Sequence, residues 1–428
     1  MCFRGWLPGV LTVIAIGCVG RSSTTPKSLD TAAERYVRVT LALAERDSDS
    51  LDSYHGPGSW QAEARAQHAS LADIRADAAA LAGTLSAETA ARPGDDEPRR
   101  AFLARQLRAL AARVDILLGS RPGFAEESRA LFDFDAAPID GDDAASVRAE
   151  VDRLLPASGT VAERYAAFDR QYLVPRDRID AVLSRAIEGC RAATSANLPL
   201  PAGERVVVEY SGDLPWSAFT RYEGRGASRI RVNAALPLTV DRALDLACHE
   251  AYPGHHTIDA LLDQRWPDRV ELVVRPLFSP QAMLHEAAAS LAPSLAFGES
   301  DRLAFERDVL FPIAGVDPAA AALHVRIGRL VDRLSGPQAA IARQYLDGAL
   351  DFPRAAAALE RDALMPSADA TLKFLNQFRS YAATYTLGRD RLRRHLDATS
   401  GGDKNARWRA FRDLVTSPAQ ILPPEPRP

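Results

Sequence analysis

The sequence predicts a mainly α-helical body interrupted by one small antiparallel β-sheet. Alanine-rich stretches such as "WQAEARAQHASLADIRADAAALAGTL" and "RRAFLARQLRALAARVDILLG" repeat apolar residues at three- and four-residue spacing, the period of a helix with one buried face. Aromatics make up only 7% of the chain, and alanine is the best helix former, so the composition favours close-packed helices with small-residue faces. Between residues 203 and 233 the pattern changes. "ERVVVEYSG", "WSAFTRYEG" and "ASRIRVNAA" are short, β-branched or aromatic, and separated by glycine-containing turns, which predicts three antiparallel strands. In the last of them Ile230 and Val232 alternate with Arg229, Arg231 and Asn233, the pattern of a half-exposed edge strand.

In chain order, residues 1–18 read as an export signal. One early arginine precedes an apolar run too short to span a bilayer, and the run closes at Gly17 and Cys18. A small residue followed by cysteine resembles the cleavage box of bacterial lipoproteins, with Cys18 as the lipid-bearing first residue, although Ala15 stands where leucine is usual. An ordinary secretory signal is the alternative, giving a secreted or periplasmic protein instead of one lipid-anchored in the cell envelope. Residues 19–28 read as a polar tether and 29–200 as an N-terminal helical region, with "PGDDEP" and "PIDGDDA" as turns. Residues 201–417 form the second region. Its helices resume at "TVDRALDLACHEAYPGHHTIDALL", with Thr239 as N-cap and a break at Pro253–Gly254. They continue at "SPQAMLHEAAASLAPSLAF" and run on to a long helix from Asp369 to about Leu396. The proline-rich residues 418–428 read as a disordered tail.

A chain of 428 residues with 47% hydrophobic residues is long enough for a large core. Its formal charge of -4 leaves no electrostatic footprint for nucleic acid. Cys190 and Cys248 are the cysteines of the body. Pairing after export is open to them, but the place of Cys248 in an apolar helix favours a buried free thiol.

The stretch "HEAYPGHH", residues 249–256, holds three of the eight histidines beside one glutamate. A water-activating zinc site needs three protein ligands, an open position and a base. His249 and Glu250 stand as ligand and base do in H-E-x-x-H helices, but the fifth position of that motif is Pro253, which cannot bind a metal. His255 reaches the ion only if the chain bulges or restarts after the break, and His256 is the alternative second ligand. The third candidate is Glu286, a glutamate in an apolar stretch, where an unpartnered carboxylate is costly. His285 beside it is a further candidate, as ligand or as hydrogen-bond partner. The bland reading is a polar helix end, with histidines favoured by the helix dipole and Glu250 in a surface ion pair.

"ACHEAYPGHH" resembles the signature of the bacterial family called domain of unknown function 885, which carries H-E-x-x-P-G-H. His249, Glu250, Pro253, Gly254 and His255 fall on it, and His256 matches a common variant. Glu286 and Ala289 fall on a second mark, E-G-W-A-x-Y-x-E, and Tyr385 and Gly388 on a late Tyr-x-x-Gly. The likeness covers about residues 205 to 397. It implies a helical metallopeptidase-like body related to neurolysin and Taq-carboxypeptidase-like enzymes. In that resemblance His249, His255 and Glu286 would hold one zinc ion, Glu250 would activate water and Tyr385 would stabilise the oxyanion. The strand with Arg229, Arg231 and Asn233 would offer its edge to a peptide. The chain departs from the family at Ile258, Ala287, Ala288, Leu291 and Pro293, which removes polar and aromatic groups from the expected surroundings of the metal or the substrate wall.

The resulting expectation is a zinc-dependent hydrolase of the cell envelope acting on peptide bonds or another amide. Two other readings compete with it: a catalytically impaired lipoprotein that binds peptides, and a helical scaffold lipoprotein without metal. Arg275, Arg379 and Arg391 are candidates for reading a substrate carboxylate, though each is more simply a salt-bridged or solvated arginine.

Overall fold

The computed structural model describes residues 25–91, 94, 96–137, 144–212 and 216–424. The export signal and Cys18 lie outside them. The body is mainly helical, with a small sheet just before the helix that ends in His249 and Glu250. Among the described residues no helix is long and apolar enough to cross a membrane.

The first helix, Thr25–Ala44, begins inside the segment read as a tether. The stretch that starts at "WQAEAR" forms two helices, Gly58–Gln67 and Leu71–Ala91, because His68 takes a left-handed φ of 44° between them. Strand β1 (Leu51–Tyr54) pairs antiparallel with a late strand, Val274–Pro276. Close by, Arg99 grips Glu271 with two bonds of 2.7 and 2.8 Å. This buried fork and the β1 pairing fasten the N-terminal helices to the rest of the chain.

The three predicted strands are β2 (Arg205–Ser211), β3 (Ala218–Gly224) and β4 (Ala227–Asn233), and the late strand is β5. β3 and β4 form the expected antiparallel hairpin, but β2 joins the other side of β4 in parallel. β2 and β3 are thus the two edge strands of this sheet. β4 is therefore the central strand and has no free edge, which corrects its reading as an edge strand. Arg229 pairs with Glu223 at 3.0 Å and with Glu209, Arg231 lies 3.6 Å from Glu209, and the Asn233 side chain accepts from Ala235 N–H. These residues fasten the sheet instead of lining a substrate track.

The Pro280–Ala296 helix runs through the interior and is buried on nearly every face, as an apolar helix must be. Gly388 packs against it: a Cβ there would come 2.8 Å from Met283 Sδ. The region read as one long helix from Asp369 is divided. It comprises Ala368–Phe378, a 3-10 segment Arg379–Ala383, a π-turn Thr384–Gly388 and the helix Arg389–Ser400. Arg379 has a φ of 50°, and the buried Glu127 carboxylate accepts from its Nε at 2.5 Å and from Ser380 N–H at 3.0 Å. Residues 418–424 are not a loose tail. Gln420 and Leu422 are buried, and Gln420 bonds to His285 at 2.8 Å.

Away from the histidine cluster, His324 is buried 3.5 Å from Asp241 and 3.5 Å from Glu306. Burial pushes its imidazole down, but the two carboxylates outweigh burial and hold it up at about 9. Against burial, His324 in turn keeps Asp241 well below the usual carboxylate range. Asp169, nearby, is pushed up to about 6 by burial and by Asp241. Because the folded value for His324 lies above the ~6.5 of an unfolded chain, its contribution is complete below that pH and is lost as pH rises through about 9. Urea unfolding should show roughly 2 kcal/mol less stability at pH 9 than at pH 7. His324→Gln should lose that part of the slope, and a slope as steep as the wild type's would remove His324 as a source.

Candidate metal centre

His249 and Glu250 are the last two residues of the Val240–Glu250 helix, and His255 opens the next, His255–Arg265. The two residues that spoil the H-E-x-x-H spacing are looped out between them, with a cis Tyr252–Pro253 peptide. Gly254 N–H donates to Cys248 C=O at 3.0 Å and Thr257 N–H to Ala251 C=O at 3.2 Å. Each bond spans six residues where a helix spans four. The insertion is thus absorbed with its backbone groups paired, and His255 returns to face His249.

Glu286 approaches from the buried Pro280–Ala296 helix. His249 Nε2 and His255 Nε2 are 3.2 Å apart, and the Glu286 carboxylate lies 3.5 Å from the first and 3.2 Å from the second. Four ligands held tetrahedrally at ~2.0–2.1 Å from zinc stand ~3.3–3.4 Å from one another. Glu286 makes its two approaches with different oxygens, Oε2 to His249 and Oε1 to His255. With one ligand atom from each residue the three form a triangle whose corners lie within 4.8 Å of one another, and these residues form the one such group among the described residues able in principle to hold a metal ion. The donor set fits zinc or a neighbouring first-row ion.

The charge around the triangle also calls for a cation. Burial alone would lower the His255 imidazole, yet Glu286, Glu250 and Asp52 hold it up at about 10. Glu286 is held well below its ordinary value by the two histidines, against its burial. Asp52 is pushed up to about 8 by burial, with Glu286 and Asp259 adding to the shift and His255 and Arg275 opposing it.

The remaining candidates fall around the centre. Glu250 is buried, and Thr220 of β3 donates to its Oε2 at 2.6 Å. His256 turns away from the triangle: its ring bonds to Ser228 at 2.8 Å and to Glu204 at 2.9 Å. Glu204 also receives Tyr252 and, at 2.8 Å, Arg191, so His256 anchors the looped turn to the sheet. His285 is outside the group as well. It bonds to Gln420, and burial pushes it down to about 4. Tyr385 stands on the π-turn with its ring centroid 6.1 Å from that of His249. Burial, and after it the Glu286 carboxylate, hold Tyr385 and Tyr381 well above the ordinary phenol value, so both keep their protons.

The triangle together with Thr220, Glu250, His285, Tyr381 and Tyr385 lines a cavity of about 230 Å³. Trp216, Phe219, Phe374 and Phe378 give it an apolar wall, and Asp52 enters from β1. The register of β1 against β5 shifts between Leu51 and Ser53, and a bulge of this kind re-aims one side chain. Asp52, Thr220 and Tyr381 had no signal in the sequence beyond ordinary residue types. The departures Ile258, Ala287, Ala288 and Leu291 are buried in an apolar core and do not line the cavity. They therefore leave its wall intact, contrary to expectation.

Cys190 and Cys248 form a disulfide with Cα atoms 5.5 Å apart, which corrects the free-thiol reading. The Ile179–Ser195 and Val240–Glu250 helices pack closely enough for a bridge to close. The bond secures the residue directly before His249.

No protein-family model matches the chain, and no curated protein matches it. Among solved structures it is similar to a Colwellia psychrerythraea protein described as a lipoprotein, at 14% identity and TM-score 0.47, covering 82% of this chain and 68% of that one. It is also similar to a Shewanella oneidensis lipoprotein of unknown function, at 12% identity and TM-score 0.40, covering 90% and 73%. A third is a Pyrococcus furiosus carboxypeptidase, at 12% and 0.42, covering 92% and 90%. The likeness is distant and says nothing of substrate.

Proposed function

We propose that the protein is a zinc-dependent hydrolase of peptide bonds, exported and lipid-anchored through Cys18. The observation that carries the reading is the convergence of His249 Nε2 and His255 Nε2, 3.2 Å apart, on the Glu286 carboxylate, whose Oε2 lies 3.5 Å from the first and whose Oε1 lies 3.2 Å from the second, beside a buried glutamate that is not part of the group. When bound, zinc supplies Lewis acidity to a water and to the scissile carbonyl.

The chain's own groups supply the rest. Glu250, fixed at one oxygen by Thr220, uses the other to take a proton from the attacking water and returns it to the leaving amine. Tyr385, half-buried and held protonated, donates a hydrogen bond to the oxygen on which charge develops. The edge for an extended substrate moves from β4 to β3. Phe219 and Arg221 face β4 partners in a ladder where Asn233 N–H donates to Ser217 C=O. The backbone groups of Ala218 and Thr220, alternating with these, turn away from β4 and are suited to pair with a peptide.

Protein purified without chelator should carry about one zinc per chain, and His249→Ala or Glu286→Ala should lose most of it. A mixed peptide library reports turnover. Zinc bound in stoichiometric amount without cleavage of any member would leave a peptide-binding protein, and absence of specific metal would reject the reading. Tyr385→Phe should keep its zinc while kcat falls about tenfold to a hundredfold; unchanged kcat would reduce Tyr385 to a packing residue. Mass analysis of the mature N-terminus tests the anchor, and a start other than lipidated Cys18 removes it.

A further inference from the structure

Gln281 is a second polar feature of the metal cavity, and the reaction as described does not use it. It lies in the first turn of the Pro280–Ala296 helix, lines the cavity and is only 1% exposed. Neither its Oε1 nor its Nε2 has a hydrogen-bond partner. A buried carboxamide with both ends unmet is costly, and its position beside the centre points to a ligand group that offers one donor and one acceptor together. Gln281 precedes Glu286 by five residues, ~7.5 Å along the helix axis. That is about the length of two residues of extended chain.

The charges of the same wall narrow the choice. Arg275 is the one guanidinium among the described residues lining the cavity, and it is buried and paired with Asp259. Its Nε donates to Asp259 at 2.7 Å, and its Nη1 donates to the Leu272 carbonyl. The carboxyl groups of Asp49, Glu250 and Asp259 also line the cavity. A substrate carboxylate would meet these acids, with the one guanidinium already paired to Asp259, and it would present only acceptors to Gln281 Oε1. A peptide group or a side-chain carboxamide satisfies both atoms of Gln281 and brings no charge.

We propose that the cavity recognises a neutral amide of its substrate through Gln281 and excludes a free carboxylate, so that it cuts within chains or beside carboxamides instead of trimming a carboxyl end. The inference rests on the zinc-hydrolase reading and adds its substrate class.

The test uses the full zinc-loaded chain and hydroxamate probes, which attach through the metal. Acetohydroxamate reports on the metal alone. One pair, hydroxamate-Phe-Gly-amide and hydroxamate-Phe-Gly-carboxylate, differs at the main-chain end; a second pair differs by Gln against Glu in the side chain. The wild type should bind the amide member of at least one pair about tenfold or more tightly, and the pair that shows the preference identifies the source of the amide. Gln281→Met and the equal-volume Gln281→Glu should each lose the preference while keeping zinc content and acetohydroxamate affinity. Equal binding or carboxylate preference in the wild type overturns the proposal even if a variant fails to fold, and so does a preference that survives both variants. Failure of acetohydroxamate to bind removes the zinc reading and this inference with it, whereas hydroxamate binding without amide preference overturns this inference alone.

Discussion

Glu250→Gln is expected to keep about one zinc per chain and to hydrolyse peptides at least ~100-fold more slowly than the wild type, the loss that follows removal of general-base transfer. The substitution is nearly isosteric, and Glu250 is not one of the three residues of the triangle. Thr220 can still donate to the amide oxygen as it does to Oε2 at 2.6 Å, so the side chain should hold its place. A glutamine cannot take the proton of a water. Retained zinc with retained turnover would show that Glu250 is not the base, and lost zinc would show that it is needed to hold the ion.

The centre was legible where chemistry is written in local spacing. His249 and Glu250 are adjacent and Glu286 sits in an apolar run, so each could be picked out without knowing the fold. Whether His255 or His256 completes the set was not legible, because that depends on how the Pro253–Gly254 turn is hydrogen-bonded. Asp52 and Thr220 were out of reach for a different reason. Pairing between segments far apart in sequence brings them to the cavity, and nothing in "LDSY" or "AFTRYEG" marks them.

The helical class followed from periodicity, but two details did not. No proline or glycine marks the break at Arg379; the carboxylate of Glu127, from a distant helix, captures the backbone there and overrides helix propensity. The strand order was hidden because the residue pattern of β2 does not say on which side of β4, or in which direction, it pairs.

Gly254→Ala should abolish zinc binding and destabilise the fold by about 3 kcal/mol or more, the range reached when a side chain is forced into occupied space that cannot yield. A Cβ at this position would stand 1.8 Å from the carbonyl oxygen of His249 and 2.5 Å from that of Cys248. Both are backbone atoms, one belonging to a proposed ligand and the other to a residue pinned by the disulfide to Cys190. Relief must therefore come from moving residue 254, and His255 follows it directly. A zinc site tolerates ligand displacements of only ~0.2 Å, so even a folded variant should lose the ion. Gly336→Ala is the matching control. Nothing lies within 4 Å of a Cβ there, the position is helical, and the change should be neutral or stabilising by up to ~1 kcal/mol. Zinc content near one per chain in Gly254→Ala would show that the turn can relax without moving His255, and the tight turn would then not be what sets the geometry of the centre.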